Sequence, residues 1–598
     1  MANGVLRLLR VFASVDRRLT VAVTALGGSQ GLLLPSFTLA IGALAGAVES
    51  GASATGPLVA LAVLFTLQRL LDPVTTELGS ILAREVDEAL TARVMRAMAE
   101  PPGLAHVEDP EVLDAALQAL GGVTGTTPGA SAVQLPFIIK RRIWYGSSLL
   151  IVGAYRWWLV PVLLVAYGIA FRFLRSHHDQ VTLVMHGQTD RLRRAYYLRT
   201  LALTHTVAKE TRVFGLAPWF VDRYRSSWLD VMRDIWARRN ERWREIVGLA
   251  AGLVAVEGLA FWLVATDVAA GDLGVAGGVI VTQALVAAAA AGQFDWIYLE
   301  PAQGNLALDK LDVLEQRAAR ARDALAGGPP PAEAPTRSIR FEGVRFTYPG
   351  RDEPVFDDFD LEIDAGRSLA IVGENGAGKT TFVKLLARLY DPDEGRILVD
   401  GVDLRHIDPV TWRRRLAPVF QDFLQLEVSA HDNVAFGALG VDGDVARAGN
   451  LAGAASLIAR LPSGWNTVLS REFTGGTQLS GGEWQRLALA RALYAVQCGA
   501  GVLILDEPTA AMDVRGEAEV YDRFLDLTRG VTTIVISHRF STVRRADRIV
   551  VVEHGQVVED GSHAELVARG DRYARMYQLQ AARFVEGPTD PTVAETSA

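Results

Sequence analysis

Cysteine is almost absent from this chain, which has 598 residues and a single cysteine, Cys498. One thiol cannot form an internal disulfide, so a disulfide-stabilised scaffold is excluded. Cys498 comes shortly before an apolar run that begins at Val502. We interpret it as a small buried hydrophobic residue without a redox role. The sequence also contains no pattern that predicts a structural metal site or a serine–histidine–aspartate triad.

Charged residues are scarce for a chain of this length. They make up 21% of the residues against 50% hydrophobic ones, and the mean hydropathy is +0.19. This composition implies a membrane part. The net charge of −8 gives no reason to expect nucleic acid as a partner. The apolar residues are concentrated in the first half, whereas the second half alternates short apolar runs with charged segments.

Six apolar stretches in the first half are long enough to cross a bilayer, which needs about 20 helical residues. They lie at about residues 19–48, 57–74, 132–155, 157–173, 246–266 and 273–291. The basic residues are concentrated in the connections on one side of these stretches. The positive-inside rule therefore predicts that both termini and the second half lie in the cytoplasm. The basic stretch before Leu19 is predicted to form an interfacial helix, not a cleaved signal.

Two polar connections, of about fifty and seventy residues, separate the three pairs of spans. Their helical periodicity persists, so we predict membrane helices that extend into the cytoplasm and fold back at two breaks. The breaks fall at residues 108–113 and 209–219. These tips are candidate contacts for another domain, and ordinary helical hairpins without a partner are the alternative.

Three consecutive basic residues, Lys140, Arg141 and Arg142, interrupt the third predicted span. A charge at this depth costs several kcal/mol unless it faces water or an acidic partner. One interpretation is that these side chains reach toward the inner interface or pair with an acid such as Asp295 or Glu300. The other is that they line a water-filled cavity and favour an anionic cargo.

The second half contains a phosphate-binding motif that follows a strand pattern at 368–372 and precedes a helical pattern at 381–388. Its backbone N–H groups and the helix N-terminus are predicted to bind phosphates. Lys379 would reach the β- and γ-phosphates, and the Thr380 hydroxyl would bind Mg²⁺. The predicted residues of this ATP site are Gly373, Glu374, Asn375, Gly376, Ala377, Gly378, Lys379, Thr380 and Thr381.

Two further motifs support this prediction. The apolar run 502–505 ends in Asp506, which is predicted to lie beside the Mg²⁺ held by Thr380. Glu507 follows outside the strand, where it can orient and deprotonate the attacking water. The sequence Ser480-Gly481-Gly482-Glu483 precedes a helical pattern and predicts a second anion-binding helix N-terminus.

In this order the motifs closely resemble those of ABC transporters, in particular half-transporters of the exporter fold such as bacterial multidrug, lipid and peptide exporters. The resemblance covers roughly residues 5–585. It implies a six-helix, all-α transmembrane domain with long cytoplasmic extensions, followed by an α/β P-loop nucleotide-binding domain with a helical subdomain. The expected bounds are 1–326 for the transmembrane domain, 327–337 for a linker, 338–585 for the ATP-binding domain and 586–598 for a disordered tail.

The resemblance also implies roles for single residues. Tyr348 corresponds to the aromatic residue that stacks on adenine, and Gln421 to the glutamine that meets Mg²⁺ and signals to the membrane helices. Asp513 resembles the aspartate that connects the two sites of a dimer, and His538 the histidine that contacts the γ-phosphate. With Glu507, Gln421 and His538 form the implied catalytic set, and Ser480–Glu483 form the signature that binds ATP.

Two features depart from the family pattern. The signature ends in Glu483, where glutamine is more common. The preceding stretch, residues 471–477, differs from that of many exporters, and this puts in doubt a relay of cargo binding through Glu472. The tips near 108–117 and 209–219, by contrast, resemble the two coupling helices of the family.

The implied function is an ATPase that moves a hydrophobic or amphipathic compound, such as a drug, lipid or peptide, out across the cell membrane. Each ATP would be enclosed by the phosphate loop of one chain and the signature of another, so a second half-transporter chain is required, as a homodimer or a heterodimer. Import of a chelated small molecule on the same fold and a regulatory or channel-type ABC protein are the alternatives. The abundance of Ala, Gly, Arg and Val indicates a bacterial source.

Overall fold

The computed structural model describes residues 2–122, 126–187, 189–204, 207–293, 296–329, 335–507, 529–537 and 539–585. The chain divides into two compact units. The first comprises Met1–Met98 and Pro110–Gln316, and the second comprises Ala99–Asp109 and Arg317–Ala598. The short segment 99–109 therefore groups with the second half of the chain.

The first thirteen helices follow the predicted all-α pattern. They are α1 (Ala2–Val15), α2 (Arg17–Ser50), α3 (Thr55–Ala99), α4 (Ala105–Glu108), α5 (Pro110–Ala119), α6 (Ala130–Tyr155), α7 (Leu159–Gly187), α8 (Thr189–Leu203), α9 (Ala208–Val213), α10 (Ala217–Glu241), α11 (Trp243–Ala270), α12 (Val275–Ala289) and α13 (Trp296–Ala324). Helix α4 belongs to the second unit. Both predicted breaks are present, the first between α4 and α5 and the second between α9 and α10.

Each of the six predicted spans contains a helix. Five stretches of the described chain are long and apolar enough to cross a membrane, namely 17–50, 55–99, 159–178, 243–270 and 275–324. Helix α6 has 26 residues, enough to cross a bilayer, but three consecutive basic residues lie near its middle. Helix α3 has 45 residues and is roughly 68 Å long, about twice the thickness of the hydrocarbon core. It therefore extends well beyond a bilayer, as the sequence predicts.

Small residues allow α2 to approach its neighbours closely. A Cβ atom on Gly27 would lie 2.6 Å from the Pro136 carbonyl oxygen of α6, and one on Gly42 would lie 2.1 Å from the Ile280 side chain of α12. Any larger residue would force these helices apart. This is how helices associate in lipid, where apolar surface alone gives little driving force.

The three basic residues of α6 occupy different surroundings. Lys140 forms an ion pair with Asp72 of α3, with 2.6 Å between Nζ and Oδ1. Arg141 is 9% exposed and donates to the Ala290 carbonyl at 2.9 Å and to Gln293 Oε1 at 3.1 Å. Arg142 is exposed.

The acid that pairs with Lys140 thus differs from the two examples expected from the sequence, because periodicity does not reveal which helices meet. Asp295, one of those examples, lies outside the described residues.

The second unit has the predicted α/β construction. A four-stranded antiparallel sheet has the order β2-β1-β4-β5, and a six-stranded sheet has the order β10-β9-β3-β8-β7-β6. The strands are β1 (Ser338–Phe346), β2 (Phe356–Asp364), β3 (Ser368–Val372), β4 (Glu394–Val399), β5 (Val402–Asp403), β6 (Leu416–Val419), β7 (Val502–Asp506), β8 (Thr532–Ile536), β9 (Arg548–Glu553) and β10 (Gln556–Gly561).

Nine described helices accompany these sheets. They are α14 (Lys379–Leu386), α15 (Pro409–Arg413), α16 (Ala430–Ala435), α17 (Val445–Leu451), α18 (Ala455–Arg460), α19 (Gly481–Gln497), α20 (Phe540–Val543), α21 (His563–Arg569) and α22 (Arg572–Val585). Two buried apolar clusters enclose the larger sheet. One contains residues of β1, β2 and α14, and the other contains residues of α16, α17 and α19.

Candidate functional site

Parallel strands of the larger sheet bring three sequence motifs to one edge. Strands β3, β8, β7 and β6 pair in parallel, so their carboxyl ends lie together. The phosphate-binding loop follows β3, Asp506 ends β7, and Gln421 comes two residues after β6. Open α/β sheets bind ligands at this edge.

The loop after β3 needs glycine at defined points. Gly378 has a φ of +99°, and a Cβ atom there would lie 2.8 Å from the Phe356 ring. A Cβ on Gly373 would lie 2.3 Å from the Val552 carbonyl oxygen. Lys379, the first residue of α14, donates from Nζ to the carbonyl oxygens of Gly373 at 2.8 Å and Glu374 at 2.9 Å. The ammonium group therefore lies over the loop, at the start of the helix.

Two acids face this loop from β7. Asp506 is 3% exposed, and burial raises the pKa of its carboxyl to about 6, with the neighbouring charge of Glu507 adding to the rise. Glu507 has a φ of +48°, in the left-handed region that is uncommon for residues other than glycine. Its N–H donates to the Ile536 carbonyl at 2.9 Å. Strained backbone of this kind is concentrated at functional sites.

These groups surround a single cavity of about 1080 Å³. The predicted residues that line it are Tyr348, Gly373, Glu374, Asn375, Gly376, Gly378, Lys379, Thr380, Thr381, Gln421, Asp506 and Glu507. Ala377 is buried and does not line the cavity. Asp513 and His538 lie outside the described residues.

Four lining residues were not predicted. Arg351 and Val355 follow Tyr348 in the same loop, and their closeness to Tyr348 in the sequence could have predicted that they line the cavity. Met576 and Leu579 come from the C-terminal helix α22, more than sixty residues after Glu507, and no sequence motif marks them.

The signature residues occupy a different place. Ser480, Gly481, Gly482 and Glu483 are all described, and none of them lines this cavity. Ser480 is exposed immediately before α19, and the Glu483 carboxylate accepts hydrogen bonds from its N–H and its hydroxyl, each at 2.8 Å. Glu483 also pairs with Arg460 at 2.7 Å. The glutamate at this position thus has structural partners, and the hydrogen bonds to Ser480 lower the pKa of its carboxyl.

Comparisons with known proteins agree with this architecture. Residues 356–510 match the family described as ABC transporter. The chain is 42% identical over 243 residues to the ATP-dependent lipid A-core flippase of Chromohalobacter salexigens, covering 40% of this chain and 41% of the relative. It is 40% identical over 240 residues to the β-(1→2)glucan export ATP-binding/permease protein of Bartonella henselae, covering 40% of this chain and 39% of the relative. The chain thus spans about two fifths of the length of the curated relatives it matches.

A solved structure extends the similarity to the whole architecture. It is that of a bacterial Atm1-family ABC exporter with ATP bound, and the match has a TM-score of 0.72 at 26% identity. It covers 95% of this chain and 99% of that one. The chain has the fold of an ABC exporter, and its residues 356–510 match the ABC transporter family. Its fold class and its ATP-binding family domain therefore match the predictions from sequence, and five of the six predicted spans overlap stretches apolar enough to cross a membrane.

The oxygen-bearing side chains that line the cavity fit a magnesium nucleotide. The Thr380 hydroxyl, the Gln421 amide and the Asp506 carboxylate line it together and provide the oxygen ligands that Mg²⁺ prefers. Burial and the charge of Glu507 raise the pKa of Asp506, and a divalent cation beside the carboxylate would favour its charged form.

This electrostatic cost predicts that Asp506→Asn stabilises the metal-free protein. A carboxyl group whose pKa is raised on folding destabilises the folded state at pH values above the raised pKa. This destabilisation disappears as the pH falls to the ordinary pKa of the carboxyl group. We expect a gain of about 1 kcal/mol at pH 7.5 after allowance for solvent screening, and none near pH 4. The measurement is the apparent melting temperature in chelator at both pH values. Asp352→Asn, which changes an exposed acid that does not contribute to the raised pKa of Asp506, is the matched control. A lower melting temperature for Asp506→Asn at pH 7.5 would contradict the prediction.

Proposed function

We propose that this chain is a half-transporter, an ATPase that exports a lipid or another amphipathic compound, such as a drug or peptide, by alternating access in a dimer. The observation that carries the proposal is the cavity in which the phosphate-binding loop, Asp506 and Glu507 meet. Its attachment to a chain with membrane helices supports coupling to transport. The names of the relatives, a lipid A-core flippase and a glucan exporter, support export as the direction.

In this proposal each group that lines the cavity has a task. The adenine would stack on Tyr348, and the triphosphate would lie along the loop, with Lys379 beside its β- and γ-phosphates. Mg²⁺ bound by Thr380, Gln421 and Asp506 would neutralise phosphate charge. Glu507 would orient a water and accept its proton while the oxygen forms a bond to the γ-phosphorus and the bond to the β-phosphate oxygen breaks. We retain His538 as the proposed γ-phosphate contact and Asp513 as the proposed link between the two sites.

The working unit in this proposal is a dimer. The signature does not line the cavity of its own chain, so its exposed helix N-terminus is available to the nucleotide of a partner chain. At the tip between α9 and α10, Val213, Phe214 and Trp219 are 78%, 70% and 54% exposed. Neighbouring exposed apolar side chains favour a protein contact, and we propose the partner's ATP-binding domain. The proposed location is a bacterial cell membrane, with both termini and the ATP-binding domain in the cytoplasm.

Reconstitution into lipid vesicles tests the transport proposal. Purified protein would be given ATP or ADP, and the movement of a fluorescent phospholipid between leaflets would be followed. We expect the phospholipid to move between leaflets with ATP but not with ADP, and we expect phosphate to be released as it moves. ATP hydrolysis without movement of any member of a panel of lipids, peptides and drugs would contradict export and favour a regulatory role.

Arg142 gives this proposal a prediction about cargo charge. Arg142 is exposed, whereas its neighbours Lys140 and Arg141 are held by contacts within the helices. If Arg142 faces an anionic cargo, Arg142→Glu raises the half-stimulating concentration of phosphatidylglycerol by roughly tenfold, the usual effect of losing one hydrogen bond to a charged group. Basal ATPase activity and stimulation by phosphatidylcholine are expected to stay unchanged.

The controls for this measurement are Arg142→Lys, which keeps the charge, and Arg142→Gln, which only removes it. Equal stimulation of the wild type and Arg142→Glu by phosphatidylglycerol would exclude Arg142 from cargo recognition.

A further inference from the structure

The segment 99–109 is bound to the nucleotide-binding unit by contacts at several points. The Leu104 N–H donates to the Leu389 carbonyl at 3.2 Å, and the Leu104 side chain packs against the apolar cluster that Leu389 and Tyr348 also contact. Ion pairs join Glu100 to Arg322 at 2.9 Å and Asp109 to Arg317 at 2.5 Å. Helix α4 at the end of this segment therefore has a defined position on the second unit.

Tyr390 connects this helix to the nucleotide cavity. It lies four residues after α14 and is 6% exposed. Its hydroxyl donates a hydrogen bond to the Glu108 carboxylate of α4. Its ring meets the Tyr348 ring edge-on, with 5.6 Å between the centroids and an angle of 84°. One buried side chain thus contacts both α4 and the proposed adenine platform.

The Tyr348 ring is held by further contacts on the cavity side. Its hydroxyl lies 3.1 Å from Thr381 Oγ1, and Thr381 lines the nucleotide cavity. Lys384 Nζ lies 4.9 Å from the centroid of the Tyr348 ring and 5.8 Å from that of the Tyr390 ring. Phe346 contacts both rings, at 5.0 Å and 5.4 Å. A movement of Tyr348 therefore requires a movement of Tyr390, because closely packed side chains do not move independently.

We propose that Tyr390 is a positioning residue of the nucleotide site, which orients Tyr348 for the adenine and couples adenine occupancy to helix α4 through Glu108. This inference rests on the proposed function, because it requires ATP or ADP in the cavity. A buried hydroxyl that has lost its acceptor is costly, so Tyr390 and Glu108 shift together. Coupling between two sites is reciprocal, so the position of α4 also changes the affinity for the adenine.

Binding of two ligands, ADP and inorganic pyrophosphate, distinguishes a role of Tyr390 in orienting Tyr348 from a role in core packing alone. ADP uses the adenine platform and the phosphate loop, whereas inorganic pyrophosphate uses only the phosphate loop. We expect Tyr390→Leu to raise the dissociation constant of ADP by about 3- to 10-fold, the size of one lost aromatic edge contact. The dissociation constant of pyrophosphate is expected to stay within about twofold, because the loop is unchanged. Both constants would be measured on the full chain in lipid nanodiscs.

Hydrogen exchange tests the connection to α4. In the wild type, ADP is expected to slow amide exchange in residues 104–109. Tyr390→Phe keeps the ring against Tyr348 and loses only the bond to Glu108. This variant is expected to bind ADP within about twofold of the wild type and to lose the ADP-dependent change in exchange. Glu108→Ala is expected to have the same effect, and the double variant is expected to add nothing further.

The matched control is Tyr494→Phe, which removes a buried tyrosine hydroxyl whose acceptor is the Val441 carbonyl at 2.9 Å, away from the cavity. This control is expected to behave as the wild type in all three measurements. Equal weakening of ADP and pyrophosphate by Tyr390→Leu, or an unchanged exchange response in Tyr390→Phe, would overturn the inference alone. Failure of the wild type to bind ADP would overturn the proposed function and this inference with it.

Discussion

Glu507→Gln is expected to lower the rate of ATP hydrolysis by at least about 100-fold, the usual contribution of a positioned general base. The change removes the proton acceptor and keeps the shape of the side chain. The dissociation constant of ATP is expected to stay within about twofold, because Lys379 and the phosphate-binding loop are unchanged. Phosphate release by the purified chain in lipid and equilibrium binding of a fluorescent ATP analogue measure the two quantities.

The backbone conformation of Glu507 determines which substitutions can separate a chemical effect from a conformational one. With a φ of +48°, the residue is held in a left-handed conformation that a substitution could release. Glutamine and glutamate have the same backbone requirements, so a loss of activity in Glu507→Gln is a chemical effect. Glu507→Gly is the complementary variant, since glycine adopts this conformation without strain and also lacks the carboxylate. Both variants are expected to be inactive, and near wild-type hydrolysis by either would exclude Glu507 as the base.

The parts of the site that were predictable from sequence are those in which chemistry and chain order coincide. The loop 373–378 and the helix that follows it are contiguous, so the motif itself specifies the geometry. The helix begins at Lys379, two residues before the predicted start at residue 381. Asp506 and Glu507 were predictable because a buried strand that ends in an acid places that acid at the carboxyl edge of the sheet. The strand 368–372 was found with its full bounds, because a short apolar run marks it.

Contacts between distant segments were not predictable in the same way. The partner of Lys140 is Asp72, 68 residues earlier, and the acceptor for Tyr390 is Glu108, 282 residues earlier. Such pairs depend on which helices and loops meet, and neither periodicity nor composition encodes that. The same reason explains why Met576 and Leu579 were missed at the nucleotide cavity. The glutamate in the signature was recognised as a departure, but its partner Arg460 appears only in the folded structure.

Ser480→Arg is expected to abolish turnover and to leave ATP binding by the same chain intact. Ser480 is exposed at the start of α19, so arginine there fits without disturbing the core, but it blocks approach of a partner's nucleotide. Loss of an anion-binding helix N-terminus from a phosphate transition state lowers the rate by about 100-fold or more. Lys379→Met is expected to show the opposite pattern, with ATP binding itself lost, because Lys379 lies in the cavity.

Combining the two lesions in mixed dimers distinguishes a signature that acts on the partner's ATP from one that acts on its own. If Lys379→Met is on one chain and Ser480→Arg on the other, action in trans places both lesions in one site and leaves the second site intact. If both lesions are on one chain and the partner is wild type, each site carries one lesion. Action within a chain reverses these two results. Single-turnover hydrolysis by tandem-purified mixed dimers is the appropriate measurement, because one intact site is enough for a signal.

We expect hydrolysis only when the two substitutions are on different chains. Hydrolysis only when both are on one chain would contradict a dimer in which each site is shared between chains.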